Sequence, residues 1–481
     1  MKRVSIFLLL LLIGIAGCNK GDDDTVSPYS QTNNGRHKSN STSNKDYTVH
    51  RFVWETMYDY YYWNENIPSR IDITKFDTPN DVFENFRYTD DRFSAILNNY
   101  TEIDNYFNNE YVTDGLNLIF GPDRLDPDKV VAYVQYVYKD SPAEAAGLKR
   151  GHVITKVNGQ TLDKANYSTL FDLDSYTLTY STMSVPNGMW DYREYYGDEY
   201  TTPRITKKNM NIDPVLQVST HYIDGHTIGY FLYDSFDEST DGITEAIEKF
   251  QADQITDLVL DLRFNGGGYV STLEKLVSML VPAGNEGKLF IQTELNSGLT
   301  QYFKKQGEDF NSYFSQENTH LNINKLYVLT SYQTASASEE LISGLKPYMD
   351  VVIIGTPTYG KYTTNMLLND IDDKGTDADG INYSEWALYI VVGLCKNANG
   401  EMNFKDGFTP DYSVDDMYDT PLGSEDDPLF AQAISLITGK ASIAKRARAA
   451  SLFQNDFIGT SAKPFYKQNL TLNRPRIFTR Q

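Results

Sequence analysis

Residues 326–365 read LYVLTSYQTASASEELISGLKPYMDVVIIGTPTYGKYTTN, and the rest of the chain is organised around them. The apolar run Leu326 to Leu329 reads as a buried strand, and the polar turn Ser331 to Ala335 leads into Ser336-Ala337-Ser338-Glu339. A helical pattern through Leu341, Ile342 and Leu345 stops near Pro347. A second strand, Val351 to Ile354, is followed by the turn Thr358-Tyr359-Gly360-Lys361. A helix of about four turns climbs roughly 20 Å, and about six strand residues return a similar distance. Lys361, which lies 361 − 336 = 25 residues on, is therefore expected beside Ser336.

Two readings of Ser336 stand side by side. A Ser hydroxyl becomes a nucleophile when a nearby base takes its proton, and a Lys desolvated enough to be neutral can do so. Ser-Ala-Ser-Glu also fits the S-x-x-E capping box, in which a hydroxyl and a carboxylate satisfy the orphan N–H groups of a helix start. Thr334-Ala335-Ser336-Ala337-Ser338-Glu339, followed by Gly355-Thr356-Pro357-Thr358-Tyr359-Gly360-Lys361, resembles the S41 family of serine peptidases, the C-terminal processing or tail-specific proteases. The resemblance implies Ser336 as nucleophile and Lys361 as general base. Many members carry, four residues past the Lys, a Gln that orients the amine. Asn365 stands there, one methylene shorter, and takes that place in the expected site.

Composition narrows the function classes. The chain has 43 Lys plus Arg against 65 Asp plus Glu, a net charge of −22, which disfavours nucleic acid as a partner. Six His are scattered without metal-ligand spacing, so neither a metal nor another cofactor is expected. Of two Cys, Cys395 closes a strand-like run from Ala387 and reads as a buried apolar side chain.

The other Cys belongs to a leader. Lys2 and Arg3 precede the short apolar stretch Ile6 to Ile15, and Ile15-Ala16-Gly17-Cys18 resembles a bacterial lipobox, with a plain signal peptide as the alternative. The resemblance implies cleavage before Cys18 and lipidation there, hence a membrane anchor. The following Asp22-Asp23-Asp24 is similar to the surface-export signal of Bacteroidetes lipoproteins, or is simply a solvated tether. Residues 19–46 read as a flexible linker.

Residues 47–109 show two helical patterns, through Phe52, Trp54 and Tyr58 and through Val82, Phe83 and Phe86, and look like the helical cap of S41 proteins. Residues 110–212 are PDZ-like. Val130 to Tyr138 alternates as a strand, Ser141-Pro142 starts a helix that Gly147 ends, and Asn158-Gly159 makes a hairpin turn. PDZ domains add an extended peptide to a sheet edge and hold its C-terminal carboxylate in a backbone nest. Gly115-Leu116-Asn117-Leu118 matches that loop, with Asn117 replacing its second Gly.

Residues 213–440 alternate strands with helices, an α/β pattern; the resemblance implies the S41 (crotonase/ClpP-like) type of fold. Arg263-Phe264-Asn265-Gly266-Gly267-Gly268 follows a buried strand and fits neither a dinucleotide nor a phosphate loop. By resemblance it supplies one N–H of an oxyanion hole, at Gly267 with Gly268 as rival, the second coming from Ala337. Asp370, Asp372, Asp373, Asp377 and Asp379 make an acidic insertion that misses the calcium-loop spacing. Gly407-Phe408-Thr409-Pro410-Asp411 resembles the segment closing S41 domains, and residues 441–481 are a basic tail. The expected function is lipid-anchored serine endopeptidase in the cell envelope, acting on polypeptides with PDZ assistance. A catalytically silent peptide-binding lipoprotein of the same fold is the alternative.

Overall fold

The computed structural model describes residues 47–107, 110–123, 126–182, 197–308, 310–369, 371, 374–377, 379–440 and 459–460. The leader with Cys18, the linker 19–46, Asp370, Asp372, Asp373 and all of the tail except Gly459 and Thr460 lie outside the described residues. The chain forms two compact units that are not consecutive in sequence.

The larger unit holds the PDZ-like region and a parallel sheet. Strands β1 (Leu116–Pro122), β2 (Val130–Val137), β3 (His152–Val157) and β4 (Leu178–Thr182) pair antiparallel in that order. The helix α1 (Tyr167–Asp172) packs on β1, with Phe120 against the rings of Tyr167 and Phe171 at 4.9 and 5.3 Å. Asn158 and Gly159 both have positive φ, as the tight turn after β3 requires.

The parallel sheet runs β5 (Val215–Ile223), β6 (His226–Tyr233), β7 (Asp257–Asp261), β8 (Lys325–Thr330), β9 (Asp350–Gly355) and β10 (Tyr412–Ser413). Only the β5–β6 pair is antiparallel. Leu258, Val259 and Leu260 are wholly buried, the continuous apolar run of a parallel strand covered on both faces. The crossover helices are α2 (Asp241–Ala252), α3 (Val270–Leu280) and α4 (Ala337–Leu345). Helix α2 buries Ile243, Ala246, Ile247 and Phe250, one stripe of helical period. Helix α5 (Pro428–Thr438) is capped by the Asp427 side chain, starts on Pro and ends on Gly439 at φ +69°.

The strand–helix–strand reading of 326–365 holds, with one difference of length. Helix α4 has nine residues, well short of four turns. Pro347 has no N–H to bond back to the preceding turn, so the helix ends at Leu345, and Tyr348 and Met349 close onto the Leu345 carbonyl. A single row crosses the sheet through Leu232, Asp261, Leu329 and Ile354. The glycine loop, the nucleophile turn and the lysine turn leave the sheet beyond the C-terminal ends of β7, β8 and β9, where open parallel sheets bind their ligands.

Among the described residues, the smaller unit comprises 47–103, Leu289–Ser312 and Tyr362–Met402. The helices Thr48–Tyr60 and Pro79–Phe86 expected over 47–109 thus share a unit with two later segments. The strand Ala387–Asn397 pairs antiparallel with Ala95–Leu97, Thr363–Leu368 and Leu289–Leu295. Cys395 is buried in that strand, as its apolar surroundings in sequence imply.

Candidate active site

Ser336 opens α4 with φ +58° and ψ −119°. A non-glycine residue in this region costs on the order of 1–3 kcal/mol and persists only when its surroundings over-determine it. The surroundings are explicit. The Thr334 hydroxyl donates to the Leu262 carbonyl at 2.8 Å and accepts from the Ser331 N–H at 2.9 Å. The Ala335 N–H donates to the Asn265 carbonyl at 3.1 Å, and the Ser338 hydroxyl reaches the same carbonyl at 3.1 Å and Asn265 Oδ1 at 3.0 Å. The sharp strand-to-helix turn is therefore fastened to the glycine loop.

Glu339 joins Ser336 to Lys361. Its carboxylate is wholly buried and accepts four hydrogen bonds. Oε2 takes the N–H groups of Ser336 (3.0 Å) and Lys361 (2.8 Å), and Oε1 takes the Gly360 N–H (2.7 Å) and the Thr358 hydroxyl (2.6 Å). One carboxylate oxygen thus holds the backbones of both expected catalytic residues. Burial pushes the Glu339 carboxyl up to about 7, against the pull of these four donors. The capping reading is realised in its Glu half, since Glu339 receives the Ser336 N–H while its own N–H donates to the Ser336 carbonyl at 2.8 Å.

The lysine turn is pinned from both sides. Tyr359 donates its N–H to the Thr334 carbonyl at 3.0 Å, and Thr358 Oγ1 accepts from the Phe408 N–H at 2.7 Å. Gly360, at φ +88°, lies so near this second segment that a Cβ would sit 2.7 Å from the Lys405 carbonyl oxygen. Lys361 and Ser336 are both half-buried.

The glycine loop touches the nucleophile turn at Gly267. At φ +100°, a Cβ there would meet Ser336 Cβ at 2.8 Å and the Ala337 nitrogen at 3.0 Å. The Gly267 N–H, however, donates to Asn265 Oδ1 at 2.8 Å, an Asx turn that uses the donor expected for an oxyanion. The N–H groups of Gly268 and Ala337 have no hydrogen-bond acceptor among the described residues. Gly268 has its own reason to lack a side chain, since a Cβ would lie 2.2 Å from the Phe236 carbonyl oxygen. Asn265 also donates from Nδ2 to the Tyr233 carbonyl at 3.0 Å, which ties the ends of β6, β7 and β8 together.

Behind the loop, Arg263 is buried among three carboxylates. Its guanidinium reaches Asp261 at 2.7 Å, Asp427 at 2.7 Å and Asp416 at 2.9 Å. Asp416 also binds Arg150 of the PDZ-like region at 2.6 Å. Burial raises the Asp416 carboxyl, but Arg150 and Arg263 together hold it below the usual carboxylate range.

Asn365 belongs to the smaller unit. Its Nδ2 donates to the Phe93 carbonyl at 3.0 Å and its Oδ1 accepts from the Thr363 hydroxyl at 2.9 Å.

In the PDZ-like loop, Gly115 needs its φ of +85° and its missing side chain, since a Cβ would overlap Ser141. Leu116 and Leu118 are buried, and Asn117 donates from Nδ2 to the Tyr136 hydroxyl at 2.8 Å. Tyr136 and Tyr138 both donate to Asp234, just past β6. Asn265, Thr358 and the bridging role of Glu339 were not singled out by the sequence. Their signals were present in the R-x-N-x-G-G run, the T-Y-G-K turn and the S-x-x-E box.

Known proteins resemble the chain over these domains. Residues 227–414 match the model of Peptidase family S41, residues 48–95 the Peptidase S41 N-terminal domain and residues 133–174 a PDZ domain. A crystal structure of a "Putative S41 protease" from Bacteroides fragilis NCTC 9343 superposes with a TM-score of 0.66 at 25% identity, covering 81% of this chain and 97% of that one. The carboxy-terminal processing protease CtpB of Bacillus subtilis is 27% identical over 232 residues, 48% of this chain and 44% of CtpB. A CtpA-like serine protease of Staphylococcus aureus (strain N315) is 27% identical over 225 residues, 46% of this chain and 40% of that protein. The chain thus matches less than half the length of these curated relatives. It carries a peptidase domain of family S41, together with the family's N-terminal domain and a PDZ domain.

Proposed function

We propose that the chain is a serine endopeptidase that cleaves polypeptides with Ser336 as nucleophile and Lys361 as general base. The observation that carries this reading is the single Glu339 oxygen that binds the N–H groups of both residues. The Ser336 Oγ–H bond breaks, its proton passes to the free-amine form of Lys361, and Oγ forms a bond to the substrate carbonyl carbon. The oxyanion is received by the N–H of Ala337 and that of Gly268, each such donor contributing about 2.7–4 kcal/mol to transition-state stabilisation. The C–N bond then breaks as Lys361 returns the proton to the leaving amine, and water hydrolyses the acyl-enzyme by the same route. The PDZ-like domain holds the substrate as an added strand on β1. Cys18 carries a lipid that tethers the enzyme to the outer membrane, on its periplasmic or outer face.

Cleavage of an unfolded protein by the purified chain, beside Ser336→Ala and Lys361→Ala, tests the mechanism. Both substitutions are expected to abolish cleavage while leaving the melting temperature unchanged, and a Ser336-dependent acyl-enzyme should be trapped by an active-site acylating reagent. If wild type and both variants are equally inert yet bind the polypeptide, the chain is a peptide-binding module with a silent site. Lipidation is tested by incorporation of labelled fatty acid into wild type and its loss in Cys18→Ser.

A further inference from the structure

The edge of β1 that faces away from β2 is already paired. The strand β11 (Gly459–Thr460) runs antiparallel to it, with Gly459 opposite Phe120 and Thr460 opposite Ile119. This is the edge beside α1, because Phe120 lies against Tyr167 and Phe171 of that helix. An antiparallel strand laid on such an edge is how a sheet captures an extended peptide. From Gly459 to Thr460 the partners descend from Phe120 to Ile119, toward the end of β1 that adjoins the Gly115 loop.

That loop is arranged for a chain that passes by rather than one that ends there. The Leu116 N–H donates to Asp114 Oδ1 at 2.8 Å, and the Gly115 N–H donates to the Thr113 hydroxyl at 3.0 Å. Asp114 is buried, and its other oxygen accepts from the Tyr176 hydroxyl. A carboxylate of the protein's own thus stands where a terminal carboxylate would be received, and a second one would meet like charge at close range. The segment at Gly459–Thr460 is itself internal, with 481 − 460 = 21 residues after it. Charge favours its docking, since residues 441–481 hold eight Lys and Arg against one Asp in a chain of net charge −22.

Resting on the reading of β1 as the peptide-accepting edge, we propose that this edge takes internal extended segments without a free C-terminus. Its resident occupant is the chain's own segment at Gly459–Thr460, which an incoming polypeptide must displace. The tail is then an intramolecular competitor, present at the effective concentration of a tethered ligand.

The test uses the full chain carrying Ser336→Ala, so that no probe is cut. A labelled peptide of residues 454–465, acetylated and amidated at its ends, is titrated against that chain and against the same chain with Gly459→Pro and Thr460→Pro. Proline cannot donate to a strand ladder. The proline variant is expected to bind the capped peptide about tenfold or more tighter than its parent. A free carboxylate on the probe is expected to add nothing, and the melting temperature should be the same for both proteins. Equal affinity for parent and variant, or binding only of a probe with a free C-terminus, would overturn the inference. Tight binding with no cleavage after Ser336 is restored would sink the peptidase reading and leave this one standing.

Discussion

Glu339 is a wholly buried carboxylate with four donors, and the two facts oppose each other. Burial raises its carboxyl to about 7, while the ionised form is the one able to accept all four bonds. An unfolded chain ionises this group near 4.5, so between 4.5 and 7 the folded state holds the extra proton. The Glu339 contribution to stability is therefore full below pH 4.5 and lost as pH rises through 7, by about 3 kcal/mol. Denaturation midpoints measured from pH 4.5 to 7.5 should fall for the wild type relative to Glu339→Gln. Activity runs the other way. Ionised Glu339 holds Ser336 and Lys361, so kcat/KM should climb through pH about 7, and a profile flat from pH 5.5 to 8 would refute this role. Glu339→Gln turns at least one of the four acceptor contacts into a donor–donor clash and is expected to lower kcat about 100-fold or more. Gly267→Ala places a Cβ 2.8 Å from Ser336 Cβ at a φ of +100°, and should abolish cleavage through the nucleophile turn.

At the scale of elements, the site is three adjacent strand ends stitched together by one amide. Asn265 accepts from Gly267 and Ser338 and donates to the Tyr233 carbonyl, all without exposure to solvent. Asn265→Ala leaves the buried Gly267 N–H without its acceptor, at about 1–3 kcal/mol, while the Ser338 hydroxyl keeps the residue-265 carbonyl. Urea denaturation should report a loss on that order, and kcat should fall with little change in KM. The strand–helix–strand around Ser336 was legible because its apolar runs, its S-x-x-E box and its Gly-Lys turn are contiguous in sequence. Which of the glycine N–H groups has an acceptor within the protein was not legible to one residue. Three consecutive glycines look alike in sequence, and it is the Asx turn from Asn265 that occupies the Gly267 N–H and leaves that of Gly268.

Across the larger unit, the PDZ-like region is built into the peptidase sheet rather than hung from it. Arg150 and Arg263 share Asp416, and the Tyr136 and Tyr138 hydroxyls share Asp234. Removing one member of a buried charged network typically costs about 3–5 kcal/mol, because the remaining charges are left uncompensated. Arg263→Met exposes Asp261, Asp427 and Asp416 to one another and should lower the melting temperature by many degrees. Calorimetry of the wild type should show the PDZ-like strands and the parallel sheet melting together. An early transition confined to residues 110–182, seen by hydrogen exchange, would show that these links are weak.

The amino-acid sequence by itself determined the α/β alternation, the PDZ-like turns and the strand–helix–strand that carries Ser336 and Lys361, because each is written in local periodicity, capping residues and short turns. Only the tertiary structure decided what lies between them. The bridging carboxylate of Glu339, the occupied N–H of Gly267 and the Asp114 carboxylate in the Gly115 loop depend on where side chains far apart in sequence, or facing one another across a turn, come to rest. So does the pairing of Gly459–Thr460 with β1, since a strand edge accepts any extended backbone and leaves no mark on the sequence that fills it.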